Sequence, residues 1–466
     1  MKKFIIYKFF DSKELLLVVF IAFVIRMGFF ISLQPWNNEV VEKTVITSID
    51  SDASLYHERA LSLLSKKSFD DFDTYRTPGY PVFIALIYSI SSGSVWFVLF
   101  IQILLNLISV VLVYKIAATI IHHKIALLSA FLFAIDLHQS YWAVTLYTDT
   151  LFVFLFLVSV YYLCKSIKEN NFLSICLSAL FLGIATLVRP ISFLFPFVAV
   201  IFILVFCNFK LKMKLAYSLL FSIIFIATIS PWLLHNYLKY QEAKLSAHSG
   251  YNLLFYDVAY TEVNRTGKTI EQVRKDFRDL AIKQGIDTTD ANSFKNSKIF
   301  FNIAEQYIKN NFLLYCKRSL NGIVNMYANL ETHHIASIFH LKSKSPIDLY
   351  GEPSIFSIIL KYFKTKSKAE IFIGFCMGLY LLINYFFALY GMFLMIGKKE
   401  KLVFLFILII LYFSALTGVV GVARYKMPFM PFINILCALG LFHFYEKKID
   451  KLGMNKNKTT TTYLFQ

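Results

Sequence analysis

Asp50 and Asp52 stand just beyond the first long apolar segment, in the run Asp50-Ser51-Asp52-Ala53-Ser54-Leu55-Tyr56. Tyr75-Arg76-Thr77-Pro78-Gly79-Tyr80-Pro81 follows them, and Asp149 opens a later apolar segment as Tyr147-Thr148-Asp149-Thr150-Leu151. Polar groups this close to a bilayer are costly and usually functional. Carboxylates on two separate elements at one membrane boundary are the layout that acid–base chemistry needs. Each also has a plainer explanation. Asp52 can cap the helix that begins at Ala53, and Asp149 can satisfy the free N–H groups and the dipole of its own helix start. Asp136, nearer the middle of its segment, hydrogen-bonds locally on this reading.

The arginines make the second group: Arg26 inside the first segment, Arg76 after it, Arg189-Pro190 between two segments, and Arg424-Tyr425-Lys426 ahead of Pro428 and Pro431. Singly, each reads as a snorkelling anchor. Together they oppose the positive-inside bias, which depletes the outer face of Lys and Arg. Cations converging there call for an anionic partner, and phosphate suits arginine's fork of donors. His333, His334 and His340 lack nearby cysteines or a well-placed carboxylate and read as polar loop residues. A divalent cation thus has no support in the sequence, and any cofactor is left unknown. There is no P-loop, GxSxG or dinucleotide fingerprint.

The elements that must position these groups follow from composition. The chain is 57% hydrophobic and 16% charged, with a mean hydropathy of +0.60, so most of it faces lipid. Apolar windows at 14–34, 95–121, 125–145, 149–166, 172–189, 191–207, 214–233, 370–396, 402–420 and 427–444 predict about ten membrane helices. The first has no small-residue cleavage site and reads as an uncleaved anchor. With the N-terminus cytoplasmic, every short inside loop is basic, from His122-His123-Lys124 through Lys398 to Lys401, and the C-terminus is also inside. The net charge of +18 is then spent on topology and anionic headgroups, not nucleic acid. Five cysteines lie in or beside the spans and only Cys316 in a long outer segment, so no disulfide framework is expected.

The predicted fold class is an all-α polytopic membrane protein. Residues 1–233 form an N-terminal transmembrane module including an outer loop at 35–94. Residues 234–369 form a small extracytoplasmic helical segment, 370–445 the C-terminal membrane helices, and 446–466 a polar cytoplasmic tail. In the first outer loop Tyr56, Ala60, Leu63 and Leu64 share a helical face, away from His57, Glu58 and Arg59. Pro81 to Ile90 is apolar but too short to span, which suits an interfacial helix.

In this order and on this side, the motifs resemble the GT-C superfamily of polytopic glycosyltransferases, in particular the bacterial aminoarabinose-transferase and protein O-mannosyltransferase-like branch. The matching positions are Arg26, then Asp52 four residues before Tyr56, Pro78 and Pro81, Asp149, Leu187-Val188-Arg189-Pro190, Pro231-Trp232 closing the seventh span, and Arg424-Tyr425 with Pro428 and Pro431. The match covers about 15–240 and 370–445. Asp52 lacks the adjacent second acid common in the family, and Thr77-Pro78-Gly79 replaces its paired prolines. The resemblance does not extend to residues 234–369.

The resemblance implies a bundle of GT-C type and a sugar donor carried on polyprenyl phosphate at the outer face of a bacterial inner membrane. Asp52 would be the general base on an acceptor hydroxyl or amine, with inversion at the anomeric carbon and lipid phosphate as leaving group. Arg189 and Arg424, with Arg76 or Lys426, would neutralise that phosphate. Asp149 would orient a substrate, Tyr56 and Asp50 would contact it, and Arg26 is structural. The acceptor is a lipid, a glycan or a protein. The competing readings are a related glycan polymerase or ligase and, from another class, a flippase or transporter for lipid-linked sugars. Transporters of that kind show internal repeats and broken mid-membrane helices, which this chain lacks.

Overall fold

The computed structural model describes residues 12–46, 52–66, 68–69, 74–287, 293–341, 364–398 and 400–451. Asp50 lies outside them. Every regular element among the described residues is a helix or helical turn. Among the described residues five helices are long and apolar enough to cross a membrane: α1 (Lys13–Ser32), α4 (Val95–Ala118), α7 (Asp149–Glu169), α10 (Leu211–Tyr240) and α17 (Lys368–Gly397). Within its apolar window α7 is 72% buried and α4 56%, whereas α10 and α17 are buried by about a third. The first two therefore form the centre of the bundle, and the others turn most of their surface to lipid. The protein is a polytopic membrane protein of the expected all-α class.

Between these run α2 (Asp52–Lys66), α3 (Gly79–Ser91), α5 (His123–Ala134), α6 (Leu137–Trp142), α8 (Phe172–Val188) and α9 (Phe195–Phe206). The helices α18 (Lys401–Ala415) and α19 (Met430–Lys451) complete the bundle. α17 packs along α19, and α8 lies between α7 and α10.

The expected spans differ from the structure in three places. The window 125–145 is two helices, because Asp136 ends α5 and caps α6 by accepting from the His138 N–H at 2.9 Å. The window 191–207 starts with a 3-10 turn, Pro190–Ser192, before α9. Pro231-Trp232 does not close the seventh helix, which runs on to Tyr240 with Pro231 inside it. In the first loop, Arg59 is buried beside Tyr56 and Ala60 instead of pointing away.

Arg26 is fully buried. It donates to Asn106 Oδ1 at 3.0 Å and to the carbonyls of Ala134 and Phe133 at the end of α5. The Phe133 carbonyl also accepts from the Asp136 N–H at 3.3 Å, and one guanidinium ties α1 to α4 and to the end of α5.

The segment inserted before α17 folds around its own small core of Leu254, Phe255, Val258, Val273, Phe300 and Ile303. Its helices are α11 (His248–Asn252), a π turn at Leu253–Val258, α12 (Ala259–Thr266), α13 (Ile270–Lys283), α14 (Phe294–Asn310), α15 (Phe312–Ala328) and α16 (Thr332–Ile338). A capping box between Thr269 and Gln272 starts α13.

Candidate functional site

Asp52 is the first residue of α2, and its Oδ1 accepts from Arg76 Nη2 in an ion pair with both side chains mostly covered. Arg76 is held by aromatic rings as well: its guanidinium lies 4.8 Å from the Tyr75 ring centre and 5.9 Å from that of Tyr56. Tyr56 in turn meets Tyr80 edge-on at 5.0 Å, and Tyr80 donates its hydroxyl to Gln102 Oε1 at 2.7 Å. This chain of contacts fixes the first loop to α4. Burial holds the Tyr56 hydroxyl above its ordinary range, against the pull of Arg76 and, more weakly, of Arg189 and Arg424.

Asp149, on α7, is 1% exposed and pairs with Arg189. Arg189 stands in extended backbone where α8 stops before Pro190, the conformation that a following proline favours. The two pairs share a frame. Thr77 donates its hydroxyl to the Val188 carbonyl at 3.3 Å, and Gly79 lies directly on the backbone of Leu187. Thr77-Pro78-Gly79, whose departure from the family pattern left its role open, is thus the joint between the loop carrying Arg76 and the turn carrying Arg189.

Arg424 sits in a 3-10 turn, Ala423–Lys426. Its guanidinium lies 5.7 Å from the Trp142 ring centre and 5.6 Å from that of Tyr147. Among the described residues it has neither a hydrogen-bond partner nor an ion-pair partner. Burial opposes its charge, but Tyr425, Asp149 and Asp52 outweigh that and hold its pKa above the usual arginine range. Lys426 points elsewhere. It is 1% exposed, donates to the Asn329 carbonyl at 2.7 Å, and burial brings it down to about 8.

The structure therefore gathers Asp52, Tyr56, Arg76, Asp149, Arg189 and Arg424 on one face of the bundle and turns Lys426 into a bracket beneath it. That bracket belongs to a larger seam between the inserted segment and residues 417–426. Asp257 accepts from the Val419 N–H at 2.8 Å, Asn325 donates to the Gly421 carbonyl at 3.0 Å, and Glu331 Oε1 accepts from the Ala423 N–H at 2.9 Å. Gly322 packs against the backbone of Gly418 and Val419.

Several residues at the site lay beyond the reach of the sequence reading. His248 touches the Tyr75 ring at 4.1 Å between ring centres, and burial, with Arg76 and Arg424 nearby, keeps its pKa well below the ordinary histidine range. His334 stacks on Tyr141 at 5.4 Å and lies 6.0 Å from Trp142. Burial, then His333 and Arg424, lowers it to about 3. His334 is accordingly packed against aromatic rings on α16, with the His333 ring beside it at 4.0 Å, in place of the loop position expected. The adjacent His-His pair was the one available signal. Among the described residues no three His, Cys, Asp or Glu side chains gather as a metal site.

Residues 75–235 match the sequence model of the dolichyl-phosphate-mannose-protein mannosyltransferase family, a segment that includes Arg76, Asp149, Arg189 and Pro231. No curated protein is significantly similar to the chain in sequence. By fold, the chain resembles oligosaccharyltransferase AglB from Archaeoglobus fulgidus in complex with an inhibitory peptide and a dolichol-phosphate. The TM-score is 0.53 at 14% identity, over 97% of this chain and 53% of that one. The same enzyme tethered to an acceptor peptide containing the NVT sequon gives 0.54 at 14% identity, over 98% and 53%. The chain spans about half the length of these solved structures. ArnT from Cupriavidus metallidurans bound to undecaprenyl phosphate overlaps more loosely, with a TM-score of 0.41 at 11% identity, over 93% of this chain and 79% of that one. These likenesses show a fold shared with the oligosaccharyltransferase structures.

Proposed function

We propose that this protein is a GT-C glycosyltransferase that moves a sugar from a polyprenyl-phosphate carrier to an acceptor at the outer face of a bacterial cytoplasmic membrane. One observation carries the reading. Two carboxylate–arginine pairs and a third arginine without a counterion meet on one face of the bundle. Arg76 and Arg189 already have anionic partners, so Arg424 is the cation with capacity for a phosphate. The basic loops at the opposite helix ends support the orientation.

Asp52 is the proposed general base. Arg76 engages Oδ1, which leaves Oδ2 to accept the proton of an acceptor hydroxyl or amine as it attacks the anomeric carbon. Attack opposite the carrier oxygen inverts the anomeric centre. The leaving phosphate departs as an anion and needs no proton, so a single base suffices. Arg424 stabilises the charge that develops on the phosphate, from a position fixed before the reaction begins. Asp149, held by Arg189, orients a substrate hydroxyl, and Tyr56 and Asp50 belong to the substrate contacts. Arg76 positions Asp52. Lys426 serves the scaffold of Arg424. The donor set does not fit a divalent cation, because each aspartate is taken up by an arginine and no third acidic or histidine ligand joins them among the described residues. No step is routed through a metal.

The test is transfer from polyprenyl-phosphate sugars by purified protein. Asp52→Asn should abolish transfer while the protein still inserts and folds, with some thermal stability lost along with the Arg76 ion pair. Wild-type rates in that variant would sink the site. Movement of lipid-linked sugar across liposomes, with no covalent product, would point to a flippase instead.

A further inference from the structure

Beside Arg424 lies a group of buried polar atoms that the transfer chemistry does not use. Trp142 is 4% exposed, and its Nε1–H has no acceptor. Glu331 is 7% exposed. Its Oε1 holds the Ala423 N–H, but Oε2 has no donor. His334 Nδ1 is likewise buried and without a partner. The three side chains come from α6, the turn before α16, and α16 itself. They belong to one contact cluster, because Trp142 touches both His334 and Arg424, and Glu331 bonds the residue next to Arg424.

Buried polar groups are nearly always paired, so three orphans in one cluster need an explanation. Leaving each unpaired costs stability. Glu331 carries a second cost, since its φ of +46° puts a side-chain-bearing residue in the left-handed region. Strain and unpaired polar groups that persist together at a site are the signature of an arrangement kept for a ligand.

The chemistry of the cluster narrows the ligand. Glu331 Oε2 accepts hydrogen bonds and repels phosphate. Trp142 Nε1 only donates. A ligand that satisfies both must present donors and acceptors side by side, as vicinal sugar hydroxyls do. An isoprenoid tail would leave all three atoms unpaired. A sugar joined to a phosphate on Arg424 would also fall next to Trp142, 5.7 Å away. We infer that Trp142, Glu331 and His334 form the subsite that reads the hydroxyls of the donor sugar, with the inserted segment supplying two of the three groups. This rests on the transferase reading and adds a specificity site to it.

The experiment is equilibrium binding to the full chain in nanodiscs. The probes are bare polyprenyl phosphate and the same lipid carrying mannose, glucose, N-acetylglucosamine or a 4-amino-pentose. Wild type should bind at least one glycosylated form more tightly than the bare lipid. Trp142→Phe keeps the ring and removes the donor. Glu331→Gln keeps the acceptor for Ala423. Trp142→Phe should weaken the preferred form about 3- to 10-fold, and Glu331→Gln roughly 10-fold or more, as expected for neutral and charged hydrogen bonds. Neither should weaken binding of the bare lipid, and Glu331→Gln, which removes a charge that repels phosphate, should bind it at least as tightly. Their ligand-free melting temperatures should stay close to wild type, because Trp142→Phe removes an unpaired N–H against the loss of some ring contact and Glu331→Gln exchanges an unpaired carboxylate oxygen for an uncharged amide. A purely structural role would lower them. The subsite is overturned if wild type shows no preference for any glycosylated form, if the variants retain that preference, or if bare and glycosylated lipids weaken together. Loss of all lipid binding in Arg424→Ala supports the phosphate site on Arg424 independently of the subsite. Wild type binding none of the lipids would remove that reading and the subsite with it.

Discussion

Gly79 rests on the carbonyl oxygen of Leu187 so closely that a Cβ there would come within 2.6 Å of it. The atoms met are backbone, at the C-terminal end of α8, and backbone cannot swing aside as a long side chain can. This contact sets the distance between the loop bearing Arg76 and the turn bearing Arg189. The spacing of the two acid–arginine pairs therefore depends on a residue with no side chain.

Gly79→Ala should accordingly cost stability by overpacking, about 1–3 kcal/mol, and reduce transfer further by moving Arg76 relative to Arg189. Thermal melts and initial rates on the same preparation check both. Unchanged values for the two would show that the joint is slack.

Asp149→Asn removes the negative partner of a largely covered arginine. Arg189 keeps 15% of its side-chain surface exposed, so the loss should fall near the lower end of the roughly 3–5 kcal/mol seen when a buried pair is broken. Asp149→Asn combined with Arg189→Gln should recover part of it. A double-mutant cycle in resistance to unfolding by denaturing detergent measures the coupling.

Asp257 gives stability a pH dependence of defined sign. Burial raises its pKa from 3.8 to about 6, against the opposing bonds from Val419 and Val420. The protonated acid is thus favoured in the folded protein. Its contribution is complete below about pH 4 and is lost as pH rises through about 6, a difference of at most about 3 kcal/mol. Melts of wild type and Asp257→Asn should diverge across that window, with the variant gaining relative to wild type, and run parallel above it. Divergence of the opposite sign would mean that the ionised form is the favoured one.

Arg424→Lys retains a charge but not the planar group lying over Trp142 and Tyr147. The donor KM should rise about 10-fold, and more in Arg424→Ala, as expected for loss of charge-assisted hydrogen bonds. Steady-state kinetics at varied donor concentration check this. Equal effects of the two substitutions would mean that charge alone gives no benefit.

Much of the site was legible before the fold was known, because charges are rare in a greasy chain and each one stands out. Arg189 and Arg424 came forward for that reason, as did Asp149. The helices were readable for the same reason, although the break at Asp136 was not: a short polar run inside an apolar window looks like a tolerated residue until the backbone turns there. His334 was visible only as half of a His-His pair, and Glu331 and Asp257 were not legible. They lie in the inserted segment, where charged residues are common and nothing marks the few that turn inward. Their importance comes from contacts with residues about a hundred or more positions away in the sequence, such as Ala423 and Val419. Periodicity carries no information about those contacts.

The seam between the inserted segment and residues 417–426 has a consequence for how such chains can be recombined. Asp257, Gly322, Asn325 and Glu331 grip the backbone of one ten-residue stretch and Asn329 its Lys426 side chain, and that stretch carries Arg424. The insert is therefore not an interchangeable module. A chimera that takes residues 234–369 from a relative must take 417–426 from the same parent, because two stretches far apart in the gene are inherited as one working unit.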